Sequence, residues 1–339
     1  MSHGLLETRF YGEETMNPIK VTFALGIGDS HWALMKLKAL KEYHGGAPIH
    51  AHINEDTNHH TVGYLAIHPY VDKALLDHGA FKCVHTEMQV EGTSAFAPHQ
   101  QYMDPKWTTV AGCHNWTNPR TGQTYDYLMV PNGHLEQGRH IDQWMPELKT
   151  DYGTDFNYDQ ATIDKSNELM PEPGVLLYLS GGGPNMGFHG NWWTPEDWVE
   201  VISLLNDKGM IPYLVGAPSD DDLTYGKSVM KSCAREGALY KNIIGKTTIP
   251  EYLHLISRAK IWVGLNSGGG IVSASMGTPT LMMWTNSDIQ HNPSCQYLHP
   301  GMQRSWLTEG QCRTYRTLSY GDPNFTPART IQIIEEIIR

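Results

Sequence analysis

The residues best equipped for chemistry sit in two glycine-rich turns, one near the start of the chain and one in its last third. In Gly26-Ile27-Gly28-Asp29-Ser30 a carboxylate follows the apolar run IKVTFAL (19–25). An unpaired carboxylate within reach of a hydroxyl is what general-base catalysis requires, although Asp29 and Ser30 also compete as ordinary helix N-caps. In WVGLNSGGGIVSASMGTPTLMMW (262–284) a strand ends at Leu265, Asn266 and Ser267 turn, and Gly268, Gly269 and Gly270 lead into a helix of small residues expected near Ile271. Free backbone N–H groups at the positive end of that helix would cradle a phosphate. The bland reading is a turn that only lets helix pack closely on sheet. The segment is neither GxGxxG nor a P-loop, which needs Gly-Lys before Ser or Thr.

A second glycine loop, Ser180-Gly181-Gly182-Gly183-Pro184, closes the strand GVLLYLS (174–180) and would open on the same rim. Two such loops on one rim point to a diphosphate. Gly216-Ala217-Pro218-Ser219-Asp220-Asp221-Asp222 also ends a strand, so one of its carboxylates is placed to accept hydrogen bonds from a ribose. The structural alternative is Ser219 as a cap, with the acids on the first helical turn. His50, His52, His59 and His60 lack HExxH spacing and alternate as a polar strand edge does, so no metal site is expected. The absence of GxSxG argues against an α/β-hydrolase.

The elements that must hold these residues read as strand, glycine turn and helix, repeated. Strand 19–25 leads to the amphipathic run HWALMKLKALKEYH (31–44), strand 47–53, candidates at 61–68, 71–77 and 80–85, strand 125–130 and a helix over about 134–148. Between them, 86–124 is rich in Trp, Pro and His and reads as an ordered insertion. After a polar linker (150–173) the alternation is cleaner: strand 174–180, helix 195–208, strand 210–216, helix 220–236, strand 239–244, helix 249–258, strand 260–265, helix 271–276 and strand 278–284. Such alternation demands right-handed crossovers and parallel, doubly wound sheets. We therefore expect an α/β chain with two Rossmann-like domains, 1–165 and 174–325, facing across a cleft. An amphipathic helix within 326–339 follows the second and packs back on the first.

Composition bounds the function. At ~150 residues per domain, 339 residues make about two domains, and 33 Gly with 20 Pro imply many tight turns. With 25 basic against 36 acidic residues the net charge is −11 and no Lys/Arg block appears, which disfavours DNA and anionic membrane as partners. Ten Trp and 17 Tyr against 7 Phe suit polyhydroxy ligands as well as a core. Five scattered Cys without CxxC spacing indicate neither zinc nor a disulfide framework. The start shows no signal peptide and no stretch long enough to span a membrane, so a cytoplasmic location is expected.

In order and spacing, GIGDSHWAL, NWWTPEDW, GAPSDDD, KTTIPEYLHLISRAKIWVGLNSGGG and ASMGTPTLMMW together resemble glycosyltransferase family 9, the ADP-heptose:lipopolysaccharide heptosyltransferases. The resemblance runs almost end to end over about 174–285 and is concentrated around 19–53 in the first half. It implies a GT-B fold, a nucleotide-sugar donor on the second domain, an acceptor on the first, and inverting transfer with no metal or other cofactor. The family's base falls on Asp29. Its donor contacts fall on Ser180, Gly181 and Gly182, on the Asp220–Asp222 run with Asp221 at its centre for ribose, on Thr247 near the base, and on Ser267, Gly268 and Gly269 for the diphosphate. Asn266 and Ile271 stand where the family carries Asp and His, and Asn191 where it carries Lys. Backbone N–H groups and His189 then compensate for two missing cations, or the donor differs. A heptosyltransferase-like enzyme acting on a glycan is the expected function. Glycosylation of hydroxymethylated viral DNA bases, and a nucleotide-sugar isomerase or non-catalytic binder, are the alternatives. If Asp29 is not the base, His31 or Glu136 is next.

Overall fold

The protein is described by a computed structural model over residues 16–23, 27–54, 60–77, 114–117, 122–129, 141–153, 155–179, 193–217, 224–265, 267–284, 315–319 and 323–339. The first half contributes β1 (Ile19–Phe23), α1 (Ile27–Leu34), α2 (Leu37–Tyr43), β2 (Ile49–Asn54), α3 (His60–Ala66), β3 (Lys73–Asp77), β4 (His114–Thr117) and β5 (Thr124–Met129). Its sheet has the order β3-β2-β1-β5-β4, parallel except for β4, which runs antiparallel at the edge. That edge strand lies inside the stretch read from the sequence as an insertion.

The second half contributes α4 (Gln160–Leu169), β6 (Val175–Tyr178), α5 (Pro195–Asp207), β7 (Tyr213–Val215), α6 (Thr224–Glu236), β8 (Lys241–Asn242), α7 (Ile249–Arg258), β9 (Ile261–Leu265), α8 (Gly268–Ser275), β10 (Thr280–Trp284), β11 (Tyr315–Ser319) and α9 (Pro327–Ile338). Its six strands are all parallel, in the order β11-β10-β9-β6-β7-β8. The chain winds one way from β6 to β8 and returns to wind the other way from β9, which is the Rossmann order with a switch point between β6 and β9. Both sheets are therefore doubly wound, as the alternation predicts.

Local signals account for the helix starts. Thr194, Thr248 and Thr326 cap α5, α7 and α9, each with a proline in the first two helical positions, and Asp197 and Glu251 complete capping boxes on the first two. Each cap contributes about 1 kcal/mol. The run 31–44, expected as one amphipathic helix, is two. It breaks at Met35 and Lys36, where the Lys36 ammonium is buried and donates to the Leu148 carbonyl at 2.8 Å. Burial lowers its pKa to about 8, against the opposing pull of Asp142 and Glu147. The helix expected over 134–148 is, in its described part, a single 3-10 turn at Ile141–Gln143.

One apolar core is shared by both halves. Val21, Phe23, Trp32, Ile49 and Tyr64 belong to the same buried cluster as Leu253, Trp262, Ile271 and Met282. A second cluster lies on the other face of the second sheet, built from Val175, Leu177, Trp198, Ile202, Val263 and Met283. Helix α9 joins this second cluster through Ile331, Ile333 and Ile334, and Glu335 pairs with Lys208 at 2.6 Å. Its described contacts are thus with the second half, where packing back on the first was expected. The polar linker is a strap: the Asp151 N–H donates to Met35 O, the Asn157 N–H to Ile67 O, and the Ser275 hydroxyl to Tyr152 O. Trp32, Trp144, Trp193, Trp198 and Trp262 are all buried, so these rings serve the core rather than a sugar.

Candidate functional site

Helix α1 follows β1, and α8 follows β9, so each starts at the switch point of its sheet, where ligands of such folds bind. The structure brings these two helix starts together. An added Cβ on Gly268 would lie 2.8 Å from Gly28 N and 3.1 Å from Ile27 Cβ, and one on Gly28 would lie 2.8 Å from Ile271 Cδ1 and 3.2 Å from Gly268 Cα. Only glycine at 268 permits this approach without displacing backbone, and a side chain at 28 would push against the Ile271 side chain.

The glycines form part of α8 itself, which begins at Gly268, three residues earlier than expected. Glycine is a poor helix former, and packing overrides that preference here. A Cβ at Gly270 would lie 2.7 Å from Met282 Cε and 2.8 Å from Trp262 Cζ3, and one at Gly269 would strike the Tyr252 hydroxyl. The Trp262 indole N–H donates to that hydroxyl at 2.9 Å, fixing the floor beneath the helix start. The first intrahelical bond runs from the Ile271 N–H to Ser267 O at 3.1 Å. The N–H groups of Gly268, Gly269 and Gly270 are therefore orphan donors within the helix. Ser267 is the N-cap residue in extended conformation, yet its hydroxyl makes no capping bond and is buried without a hydrogen-bond partner among the described residues.

Asp29 occupies the third position of α1. It therefore lies in the first helical turn rather than at the cap. Two residues on, His31 is fully buried with Nδ1 hydrogen-bonded to the Tyr64 hydroxyl, and burial pulls its pKa down to about 3. Fully buried and with Nδ1 engaged by Tyr64, its imidazole does not reach an acceptor hydroxyl, which removes His31 as the substitute base. Ile271, standing where the resemblance implies a histidine, is buried against Gly28 and makes the junction of the halves apolar. Thr247 lies partly exposed just before the Thr248 cap of α7, after β8. Ser180, Gly181, Gly182, His189, Asn191, Asp221 and Asn266 lie outside the described residues, as do His59 and Glu136.

Of the strand histidines, His52 is tied through Nδ1 to Asp77 at 2.9 Å, and Asp77 also accepts the Tyr125 hydroxyl at 2.6 Å. Burial would raise the Asp77 pKa, but the hydrogen bonds from His52, Tyr125 and Gln123, together with the charge interaction with His52, outweigh it and hold the carboxyl below its usual range. Among the described residues no three His, Cys, Asp or Glu side chains are grouped to hold a metal ion.

The architecture is GT-B. It is similar to Escherichia coli ADP-heptose lps heptosyltransferase II (TM-score 0.58, 12% identity, 95% of this chain and 98% of that one). It is also similar to a glycosyl transferase family 9 structure from Veillonella parvula DSM 2008 (TM-score 0.60, 13% identity, 95% and 97%). The E. coli heptosyltransferase WaaC with ADP matches at TM-score 0.56 and 13% identity, over 95% of this chain and 100% of that one. Residues 141–314 match the family model of glycosyltransferase family 9 (heptosyltransferase), and the chain belongs to that family. Lipopolysaccharide heptosyltransferase 3 of E. coli strain K12 is 29% identical over 168 residues, 49% of this chain and 48% of that protein. The match thus spans about half the length of this curated relative. Among the described residues no helix is long and apolar enough to cross a membrane.

Proposed function

We propose that the chain is an inverting, metal-independent glycosyltransferase that moves heptose from ADP-heptose to a hydroxyl of a saccharide acceptor, working in the cytoplasm. The observation that carries this reading is the meeting of α1 and α8 at Gly28 and Gly268. Two positive helix ends in contact repel unless an anion lies between or beside them. A leaving diphosphate is such an anion, and the orphan N–H groups of Gly268 and Gly269 with the Ser267 hydroxyl are donors for it. These groups need neither the histidine replaced by Ile271 nor a divalent ion.

In this reading the Asp29 carboxylate takes the acceptor's hydroxyl proton as that oxygen bonds to the sugar's anomeric carbon. The bond from that carbon to the diphosphate oxygen breaks, and the charge passes to the α8 amides, whose fixed dipoles stabilise it. Thr247 lies beside the nucleobase, while Ser180, Gly181, Gly182, His189, Asn191 and Asn266 complete the donor contacts and Asp221 takes the ribose. The adenine nucleotide and the heptose are supported by the names of the relatives, which include a heptosyltransferase with ADP and an enzyme of lipopolysaccharide.

Calorimetric titration with ADP, UDP and GDP tests the donor site. Binding of ADP in preference to the other two, unchanged by EDTA, is expected. Binding that appears only with magnesium would overturn the metal-independent reading, and binding of none of the three would overturn the donor site.

A further inference from the structure

Helix α1 has only eight residues, too few to hold its own geometry in water, so its seat is set by what it touches. On one side the Gly28 backbone rests on Gly268 and Ile271. On the other, His31 bonds to Tyr64 of α3. Tyr64 is itself fully buried, with its ring 5.5 Å from that of Phe156 in the strap. Helix α3 in turn leans on the second half, where Gly63 faces Pro250 of α7. Trp32, Ala33 and Leu34 are buried as well and pack the helix into the shared core. The His31–Tyr64 bond is directional. It also holds through the pH range of the chemistry, because burial keeps the imidazole neutral and pushes the Tyr64 hydroxyl well above its ordinary pKa.

We infer that His31 and Tyr64 are positioning residues, whose hydrogen bond helps to fix the seat of α1 and so the placement of Asp29, two residues before His31 on the same helix. The inference rests on the reading of Asp29 as base. Neither residue touches the substrate, and both act through the helix.

The test is a rate cycle with Tyr64→Phe, which keeps the ring against Phe156 and deletes only the hydroxyl, and Asp29→Asn. ADP-heptose is the donor and heptose-bearing lipopolysaccharide core oligosaccharide the acceptor. Tyr64→Phe is expected to lower kcat by about 10-fold or more, the scale of a small misalignment of reacting groups, with donor KM and ADP affinity within twofold of the parent. In the Asp29→Asn background the same change is expected to cost nothing further. His31→Gln, which keeps an acceptor for the Tyr64 hydroxyl, should retain more rate than His31→Leu. A parental kcat for Tyr64→Phe beside an inactive Asp29→Asn would overturn this inference and leave the base in place. An equal further loss in the Asp29→Asn background would overturn it too, showing a general structural effect. A parental rate for Asp29→Asn would overturn the base, and this inference with it.

Discussion

Ser267 carries the sharpest expectation at the scale of single residues. Its hydroxyl is buried at the start of α8 without a hydrogen-bond partner among the described residues, even though an N-cap serine ordinarily closes the helix end with its own side chain. An unmade bond costs stability, and a donor to a charged phosphate returns about 1.5–3 kcal/mol when the ligand arrives. Ser267→Ala should therefore weaken ADP binding by roughly 10-fold or more, while the melting temperature of the unliganded protein stays level or rises. Calorimetry and a thermal scan on the same preparation separate the two effects. A fall in melting temperature with unchanged affinity would make Ser267 a structural cap. This site was partly legible in the sequence, since residue types mark Asp29, Ser267 and the glycines as strand-end chemistry. What spacing alone does not show is that Asp29 sits in the first turn of its helix rather than at the cap, and that His31 is fully buried. The burial of His31 depends on Tyr64 of α3, which is remote in sequence.

At the scale of elements, the contact of α1 with α8 predicts an inversion of ordinary propensity. Alanine is the better helix former by about 1 kcal/mol, but a methyl at 268 meets backbone, Gly28 N at 2.8 Å, which has no side chain to swing away. Gly268→Ala is expected to lower unfolding free energy by about 1–3 kcal/mol, read from urea midpoints at constant m-value. The glycine run looked like a loop because propensity speaks against helix there. Packing against Trp262, Met282 and Tyr252 decides otherwise.

Two buried histidines, His31 within α1 and His68 just after α3, add a pH dependence. Burial lowers the pKa of His31 and of His68 from the ordinary histidine value of 6.5 to about 3. Between those values the unfolded chain binds protons that the folded chain refuses, so their contribution is intact above about pH 6.5 and is lost as pH falls toward 3. Each group contributes a slope of up to about 1.4 kcal/mol per pH unit in that window. Urea titrations at pH 7.5, 6 and 4.5 should show stability declining, and His68→Phe should show a shallower decline. Equal slopes for the two proteins would contradict the assignment.

At the scale of the whole molecule, two doubly wound sheets share one apolar cluster that runs from Val21 and Phe23 through Tyr64 to Leu253, Trp262 and Ile271. Two halves that share a core cannot separate without exposing it, so they are expected to unfold together. Tryptophan fluorescence and far-ultraviolet circular dichroism should give coincident urea transitions, and two resolved transitions would contradict a common core. The two halves were legible from the alternation of strands and helices, each opening with strand, glycine turn and helix. The shared core was not, because the apolar faces of α3, α7 and α8 look alike in sequence whether they cover their own sheet or bridge to the other. The seating of α9 on α5 was hidden for the same reason.

The central claim, that this assembly transfers a sugar, is tested most directly by mass spectrometry of a heptose-bearing core oligosaccharide incubated with ADP-heptose and EDTA. The account predicts a product heavier by one heptose residue with the parent protein, and at least about 100-fold less with Asp29→Asn at unchanged ADP affinity. A parent protein that binds ADP-heptose but adds no heptose to this oligosaccharide, to soluble glycans or to hydroxymethylated DNA would contradict it, and would mark the chain as a nucleotide-sugar binder or isomerase on the GT-B fold.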